Sequence, residues 1–474
     1  MNYEMVIGLE IHSELKTQTK AFCSCQNKFG LAINTATCPV CMGMPGALPT
    51  INMEAVKYSI KSGLAFDCKI NNKVVFERKN YFYPDLSKAY QISQLEHPIA
   101  EDGKIRYKLD GKEMVCRINN IHMEEDAGKN IHDDKMGISL VDFNRCGVPL
   151  IEIVTEPDIR SSEQAVKVLE SIKETLMSLG VSDCKMQEGS LRCDVNLSLH
   201  KAGEPFGTRT EMKNLNSFKA VARAIEYEAN RQAKILDEGG VIKQETRRWD
   251  DLLGENFSLR SKENSNDYRY FKDPDLMPVE ITNEYIQKIK SEINELPYDK
   301  KNRYEKELGL PLHDVNVLTL DTNISDFFEE CLKLYNNPKI VSNWVMGDAL
   351  KKIKEDFSDE YIFKISPQNL VDLIKMVENK ELSVNASKEV LDAIWGTDKT
   401  PQSATEELGL KQTNSADEIE QIVCGIIESN PQAVLDYKNG NERALTFFVG
   451  QVMKQSRGKA NPKIARELIV KHLS

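Results

Sequence analysis

One change of rhythm limits the folds open to this chain. Up to about residue 290, apolar residues recur at every second position in short runs; from about Pro297 they recur at helical spacing. A strand turns successive side chains to opposite faces, whereas a helix brings every third or fourth residue onto one side. The run from Leu191 shows the first pattern. Leu191, Cys193, Val195, Leu197 and Leu199 fall on one face, and Arg192, Asp194, Asn196 and Ser198 on the other. Comparable runs lie at Met5–His12, Leu140–Asn144 and Leu150–Thr155, separated by Gly, Pro and Asn/Asp clusters. Amphipathic helices interrupt them, most clearly at Ser162–Leu179 and Phe218–Glu238. Past Pro297, a capping residue precedes proline at Asn337-Pro338, Ser366-Pro367, Asn430-Pro431 and Asn461-Pro462, which marks helix starts. The polar stretch Thr397–Ser403 reads as a hinge or linker before some 70 residues of short helices. The expected fold class is α+β: a strand-rich body, then helices.

Composition narrows the function classes. A chain of 474 residues suggests about three domains. It is long enough to bury a core without disulfides or a metal. No uncharged apolar run approaches the ~18 residues of a membrane span. The first residues lack a basic region followed by an apolar stretch, so a cytoplasmic location is expected. With 11 cysteines, an odd number, reduced thiols or a metal site are better readings than a disulfide scaffold. The net charge of -11 argues against a protein that coats nucleic acid over its whole surface. The balance is uneven, however. Residues 443–474 hold seven Lys or Arg and one acid, a local +6, which leaves -17 for the remainder. That asymmetry fits RNA contact at one end.

Three constellations carry chemistry. Cys23 and Cys25, then Cys38 and Cys41, are two close pairs that can place four thiolates around a tetrahedral zinc ion, though the first pair is tighter than the common spacing. With all four ligands from the protein, such a zinc is structural. The second constellation is a set of acids on apolar-backed strands: Glu10 beside His12, the triplet Glu124-Glu125-Asp126, Glu152 and Asp194. Oxygen ligands with an imidazole suit Mg²⁺ or Mn²⁺. The third is cationic and aromatic: Arg78-Lys79 runs into Tyr81-Phe82-Tyr83, and Arg209, Glu211 and Lys213 alternate onto one face. Cations beside an acidic metal site are what triphosphate binding requires. No generic phosphate-binding loop accompanies them.

Taken together, these segments resemble a known family. The run Val141-Asp142-Phe143-Asn144-Arg145-Cys146-Gly147-Val148-Pro149-Leu150-Ile151-Glu152-Ile153-Val154-Thr155-Glu156-Pro157-Asp158 is similar to the hallmark of the B subunit of the bacterial glutamyl-tRNA(Gln)/aspartyl-tRNA(Asn) amidotransferase. The likeness continues through residues 6–12, 78–94, 122–129, 188–196, 213–218 and 267–271, and near the end in 450–462. It departs in loops, at Ser87, Ala89 and Lys272-Asp273. The resemblance implies three parts: a cradle domain at 1–292, a helical domain at 293–406 and a tRNA-binding helical tail at 407–474. It also implies that ATP phosphorylates the side-chain carboxylate of misacylated Glu-tRNA(Gln) or Asp-tRNA(Asn), and that ammonia from a glutaminase A subunit replaces the phosphate. A small C subunit completes a heterotrimer. By the same resemblance, Glu10, His12 and Glu125 are expected at the magnesium and kinase site, with Glu152, Asp194 and Glu211 as further members and Lys79 and Tyr81 beside the ATP. Lys454, Arg457, Lys459, Lys463, Arg466 and Lys471 are expected to meet tRNA. The alternative reading of the same residues is a non-catalytic, zinc-stabilised tRNA-binding scaffold.

Overall fold

Alternation in the first 300 residues builds one large sheet. The computed structural model describes residues 3–133, 135–261, 265–356, 361–411, 416–438, 441, 443–456 and 460–473. Nine strands form the sheet: β1 (Glu4–Glu14), β2 (Lys69–Ile70), β3 (Ala100–Leu109), β4 (Lys112–Glu125), β5 (Pro149–Thr155), β6 (Leu191–His200), β7 (Thr210–Leu215), β8 (Glu245–Asp250) and β9 (Glu255–Ser261). Their spatial order is β9-β8-β7-β6-β1-β5-β4-β3-β2. All neighbours run antiparallel except β7 and β8. The first strand therefore lies near the centre, between β5 and β6. The expected strands and helices are present, with no end shifted by more than two residues. Leu140–Asn144 differs: Ile138–Asp142 pairs with Lys129–Asp133 in a separate hairpin, and Phe143–Arg145 is a 3₁₀ turn capped by the Asp142 carboxylate.

One face of the sheet is apolar. Leu9, Ile11, Ile151, Ile153, Cys193 and Val195 lie there, at most 2% exposed, in the core of the N-terminal unit. Helices α1 (Met53–Ala65), α2 (Ser162–Ser178) and α3 (Phe218–Asp237) pack into this core. Each opens on a side-chain cap, from Asn52, Ser161 and Ser217. With the apolar side chains turned into this core, the acids that alternate with them face the other way.

A buried carboxylate ties α3 to the sheet. Glu228 has no exposed surface. Its two oxygens accept from Arg231 (2.6 and 2.8 Å), Thr210 (2.8 Å), Gln232 (2.9 Å) and Asn256 (2.9 Å). Burial raises its pKa, but the hydrogen bonds from Arg231 and its neighbours outweigh burial and hold the carboxyl below its usual range. Removing one member of such a buried network costs about 3–5 kcal/mol. Urea unfolding of Glu228→Ala is expected to show that loss near pH 7. Because the folded-state pKa is depressed, the contribution is complete above the ordinary carboxylate pKa and disappears as pH falls through the folded value. The gap between wild type and variant should therefore narrow in acid.

The chain divides into two compact units, residues 1–300 and 301–474. The second unit is helical and contains two separate apolar cores, one within Tyr304–Ala404 and one within Ile419–Leu473. Asn337 and Ser366 cap their helices as their sequence context predicts. The expected hinge or linker at Thr397–Ser403 is a loop only as far as Thr400. Thr400 and Ser403 form a capping box, and Pro401–Glu407 is a helix with Ala404 fully buried. Proline at the first helical position and threonine at the cap favour a helix start, and they decide this segment more than its polarity does. Among the described residues, no helix is long and apolar enough to cross a membrane.

Candidate active site

Strand parity and register assemble the site. On the polar face, Glu152 of β5 lies opposite His12 of β1 on one side and His122 of β4 on the other. Glu10 lies opposite Asp194 of β6, and Asn196 opposite Glu211 of β7. Of these rows, Glu10, His12, Glu152, Asp194 and Glu211 line a cavity of about 950 Å³. Lys79, Tyr81, Tyr268 and Tyr270 also line it, with Arg209 and Lys213.

The acids fall into two groups. In the first, His12 Nε2 lies 3.3 Å from Glu152 Oε2 and 3.4 Å from Glu124 Oε1. Burial alone would lower the His12 pKa, but the adjoining Glu152 and Glu124 carboxylates overcome it and push it up to about 9. Burial likewise opposes the charge on Glu152, and the two imidazoles beside it hold its pKa well below the usual carboxylate range. In the second group, Asn196 Nδ2 donates to Glu10 Oε1 at 2.9 Å and Thr246 Oγ1 to Glu211 Oε2 at 2.7 Å. Here the Lys213 ammonium pairs with Asp194 and, at 3.2 Å, with Glu211. Each group can bring three ligand atoms within 4.8 Å of one another. They differ in chemistry: the second holds the Lys213 ammonium among its carboxylates, whereas the first combines carboxylates with an imidazole, the mixed set expected for Mg²⁺ or Mn²⁺. Above the acids, the Lys79 ammonium lies 4.8 Å from the Tyr268 ring centre and 5.9 Å from that of Tyr81.

Glu125 requires a correction. It does not join Glu10 and His12. Its side chain is buried, pairs with Lys88 and accepts from the Ile92 backbone N–H at 2.9 Å. The reason is parity. Ile121 and Met123 of β4 point into the core, so Glu125 shares their side, while His122 and Glu124 turn to the acids. Glu124, not Glu125, meets His12. The alternation Ile121-His122-Met123-Glu124-Glu125 contains this signal, which treating the acidic triplet as one unit obscures. His122 is a site residue that the sequence reading does not single out, although it sits on the same face of the same alternation.

The four cysteines of the Cys23–Cys41 segment do converge, their Sγ atoms all lying within 4.8 Å of one another. Cys38 and Cys41 Sγ are 3.9 Å apart. The Cys41 thiol is held down to about 4, first by its hydrogen bond with Cys23, with the Lys20 charge assisting.

The sequence matches known proteins over its whole length. The GatB/GatE catalytic domain family matches residues 5–287, and the GatB domain family residues 326–473. The B subunit of the aspartyl/glutamyl-tRNA(Asn/Gln) amidotransferase from Caldicellulosiruptor saccharolyticus is 51% identical over 100% of this chain and 99% of its own length. Proteins of the same description from Thermoanaerobacter pseudethanolicus and Thermodesulfovibrio yellowstonii are each 48% identical over the whole of both chains. The chain belongs to the amidotransferase B-subunit family.

Within this amidotransferase chain, the expected site residues are distributed unequally. Glu10, His12, Glu152, Asp194, Glu211, Lys79 and Tyr81 line one cavity. In the tail, Lys454, Lys463 and Arg466 are exposed, and exposed Lys471 pairs with Glu420 at 3.1 Å. Arg457 and Lys459 lie outside the described residues.

Proposed function

We propose that the cavity over the sheet is where the amidotransferase activates and amidates the amino acid carried by misacylated tRNA. The observation that carries this reading is the layered charge of one cavity. Acids and His12 form its floor, and Lys79, Arg209 and Lys213 provide cations around it. A side-chain carboxylate is a poor acyl donor, because oxide is a poor leaving group. Attack by a carboxylate oxygen on the γ-phosphorus of ATP releases ADP and gives an acyl phosphate. Ammonia then attacks the acyl carbon, phosphate departs, and the nitrogen loses a proton to leave the amide. Both partners of the first step are anions, so positioning and charge neutralisation dominate catalysis. His12, Glu124 and Glu152 would hold Mg²⁺, which supplies charge neutralisation at the phosphates when bound. Lys79 and Arg209 would meet the triphosphate.

The assembled complex would comprise this chain, a glutaminase A subunit and a small C subunit, acting in the cytoplasm. A protected passage for ammonia from the A subunit would keep the nucleophile from protonation in bulk water. Phosphate release from ATP tests the reading. It should rise when Glu-tRNA(Gln) or Asp-tRNA(Asn) is added to the complex; a scaffold chain would give no rise.

The cysteine cluster fits structural zinc. Lys20 is fully buried, and its ammonium donates to the Ala36 carbonyl at 2.7 Å and to Cys41 Sγ at 3.8 Å. A buried ammonium needs a negative partner. The thiolates of a zinc site would supply it.

The two cores of the helical unit support a division near residue 407, with the tail meeting tRNA. Deleting residues 408–474 should weaken binding of misacylated tRNA and flatten its salt dependence, since each phosphate contact contributes a slope of about -0.7 to -0.9. The A subunit should still copurify. Unchanged tRNA affinity would remove the tail from the binding surface.

A further inference from the structure

His122 has a chain of hydrogen bonds behind it whose direction is fixed at the far end. Glu156, a carboxylate, only accepts, and Asn119 Nδ2 donates to its Oε1 at 2.7 Å. Asn119 Oδ1 is thereby left to accept from Asn120 Nδ2 at 2.8 Å. Asn120 in turn presents its Oδ1 to His122 Nδ1 at 2.9 Å, so that nitrogen carries a hydrogen. The other ring nitrogen, Nε2, lies 3.0 Å from Glu152 Oε2, a second acceptor. Both nitrogens of His122 therefore face oxygen acceptors, and its ring has one orientation that satisfies both. The chain runs from Glu156 through the exposed Asn119 to His122, which reaches Glu152 in the cavity lining.

We infer that His122 is a positioning residue, which sets the Glu152 carboxylate for the divalent cation through the chain Glu156–Asn119–Asn120–His122. This inference rests on the proposed cation at His12, Glu124 and Glu152. His12 and His122 approach the same Glu152 oxygen. When His12 gives its Nε2 lone pair to a cation, it no longer donates to Glu152. His122 then becomes the imidazole that keeps Glu152 in place. A second residue holding a metal ligand typically governs 10–100-fold in metal affinity.

The test is calorimetric titration of the assembled complex with Mn²⁺, alongside the Mn²⁺ concentration needed for half-maximal turnover. His122→Ala should weaken Mn²⁺ binding about tenfold. Two near-isosteric variants separate donation to Glu152 from simple filling of space. The amide of His122→Gln reaches the Nε2 position and should retain affinity within about threefold, whereas that of His122→Asn reaches only the Nδ1 position and should behave like the alanine variant. The Gln and Asn pair remains decisive if the alanine variant fails to fold. Equal Mn²⁺ affinity in wild type, His122→Gln and His122→Asn, with binding still abolished by His12→Ala, would overturn the role of His122. Wild-type Mn²⁺ binding that is indifferent to His12→Ala would instead overturn the cation site itself.

Discussion

Glu124→Gln should reduce amide formation on misacylated tRNA by about a thousandfold with little change in melting temperature, and its neighbour Glu125→Ala should do the reverse. The two acids are adjacent in sequence and opposite in direction. Glu124 Oε1 lies 3.4 Å from His12 Nε2 on the cavity side. The glutamine variant keeps the shape of the side chain and removes its charge from the cation site, where losses of order 10²–10³ are typical for a single electrostatic contact. Glu125 instead pairs with Lys88, and both are nearly buried. Truncating it leaves the ammonium without its partner, at a cost of about 3–5 kcal/mol. Single-turnover amidation and thermal melting of both variants form one experiment. If Glu125→Ala melts like wild type and cannot form amide, Glu125 acts in the chemistry in spite of its burial.

Loss of the proposed zinc should destabilise the N-terminal unit as strongly as loss of a buried ion pair. Structural zinc sites carry apparent binding free energies of about 10–16 kcal/mol in small peptides, so a larger fold that depends on one loses part of that sum when it is stripped. The cysteine segment is held by backbone bonds from Ala21 to Gly147 at 2.8 Å and from Asn52 to Ala21 at 2.8 Å. Its release would expose the segment between β1 and α1. Purified wild type should contain one zinc per chain, and Cys38→Ser or Cys41→Ser should lose it. A destabilisation of about 3–5 kcal/mol would lower the melting temperature by roughly 10 °C. Thiol labelling gives an independent readout. Cys68 and Cys116 are buried, which pushes their pKa up to about 12, and they should stay unreactive. Cys23, Cys25, Cys38 and Cys41 should become reactive only after metal removal. A metal-free native protein with those four already labelled would end the zinc assignment.

The likeness to the amidotransferase family is legible in ordered segments such as Val141–Asp158, and the α+β class in the change of apolar spacing near Pro297. The apolar face of β6 can be read residue by residue, because alternation is a local property of a strand. The expected hinge or linker stops short at Thr400 because polarity competes with capping in Thr397–Ser403, and the capping box starts a helix at Pro401. Glu10 and His12 stand out because they are two apart on one strand. Their division between two acid groups does not, since that depends on strand register. Glu10 meets Asp194, and His12 meets Glu152, only because β1 lies between β6 and β5.

The sequence by itself determined which side chains alternate, where helices begin and which family the chain resembles, since each of these is encoded in neighbouring residues. Tertiary structure alone decided that the face carrying Glu124 meets His12, that Lys213 pairs with Asp194 in the second acid group, and that His122 reaches Glu152. Those pairings join residues from 19 to more than 100 positions apart, and their partners are chosen by sheet order and register. No local pattern specifies both.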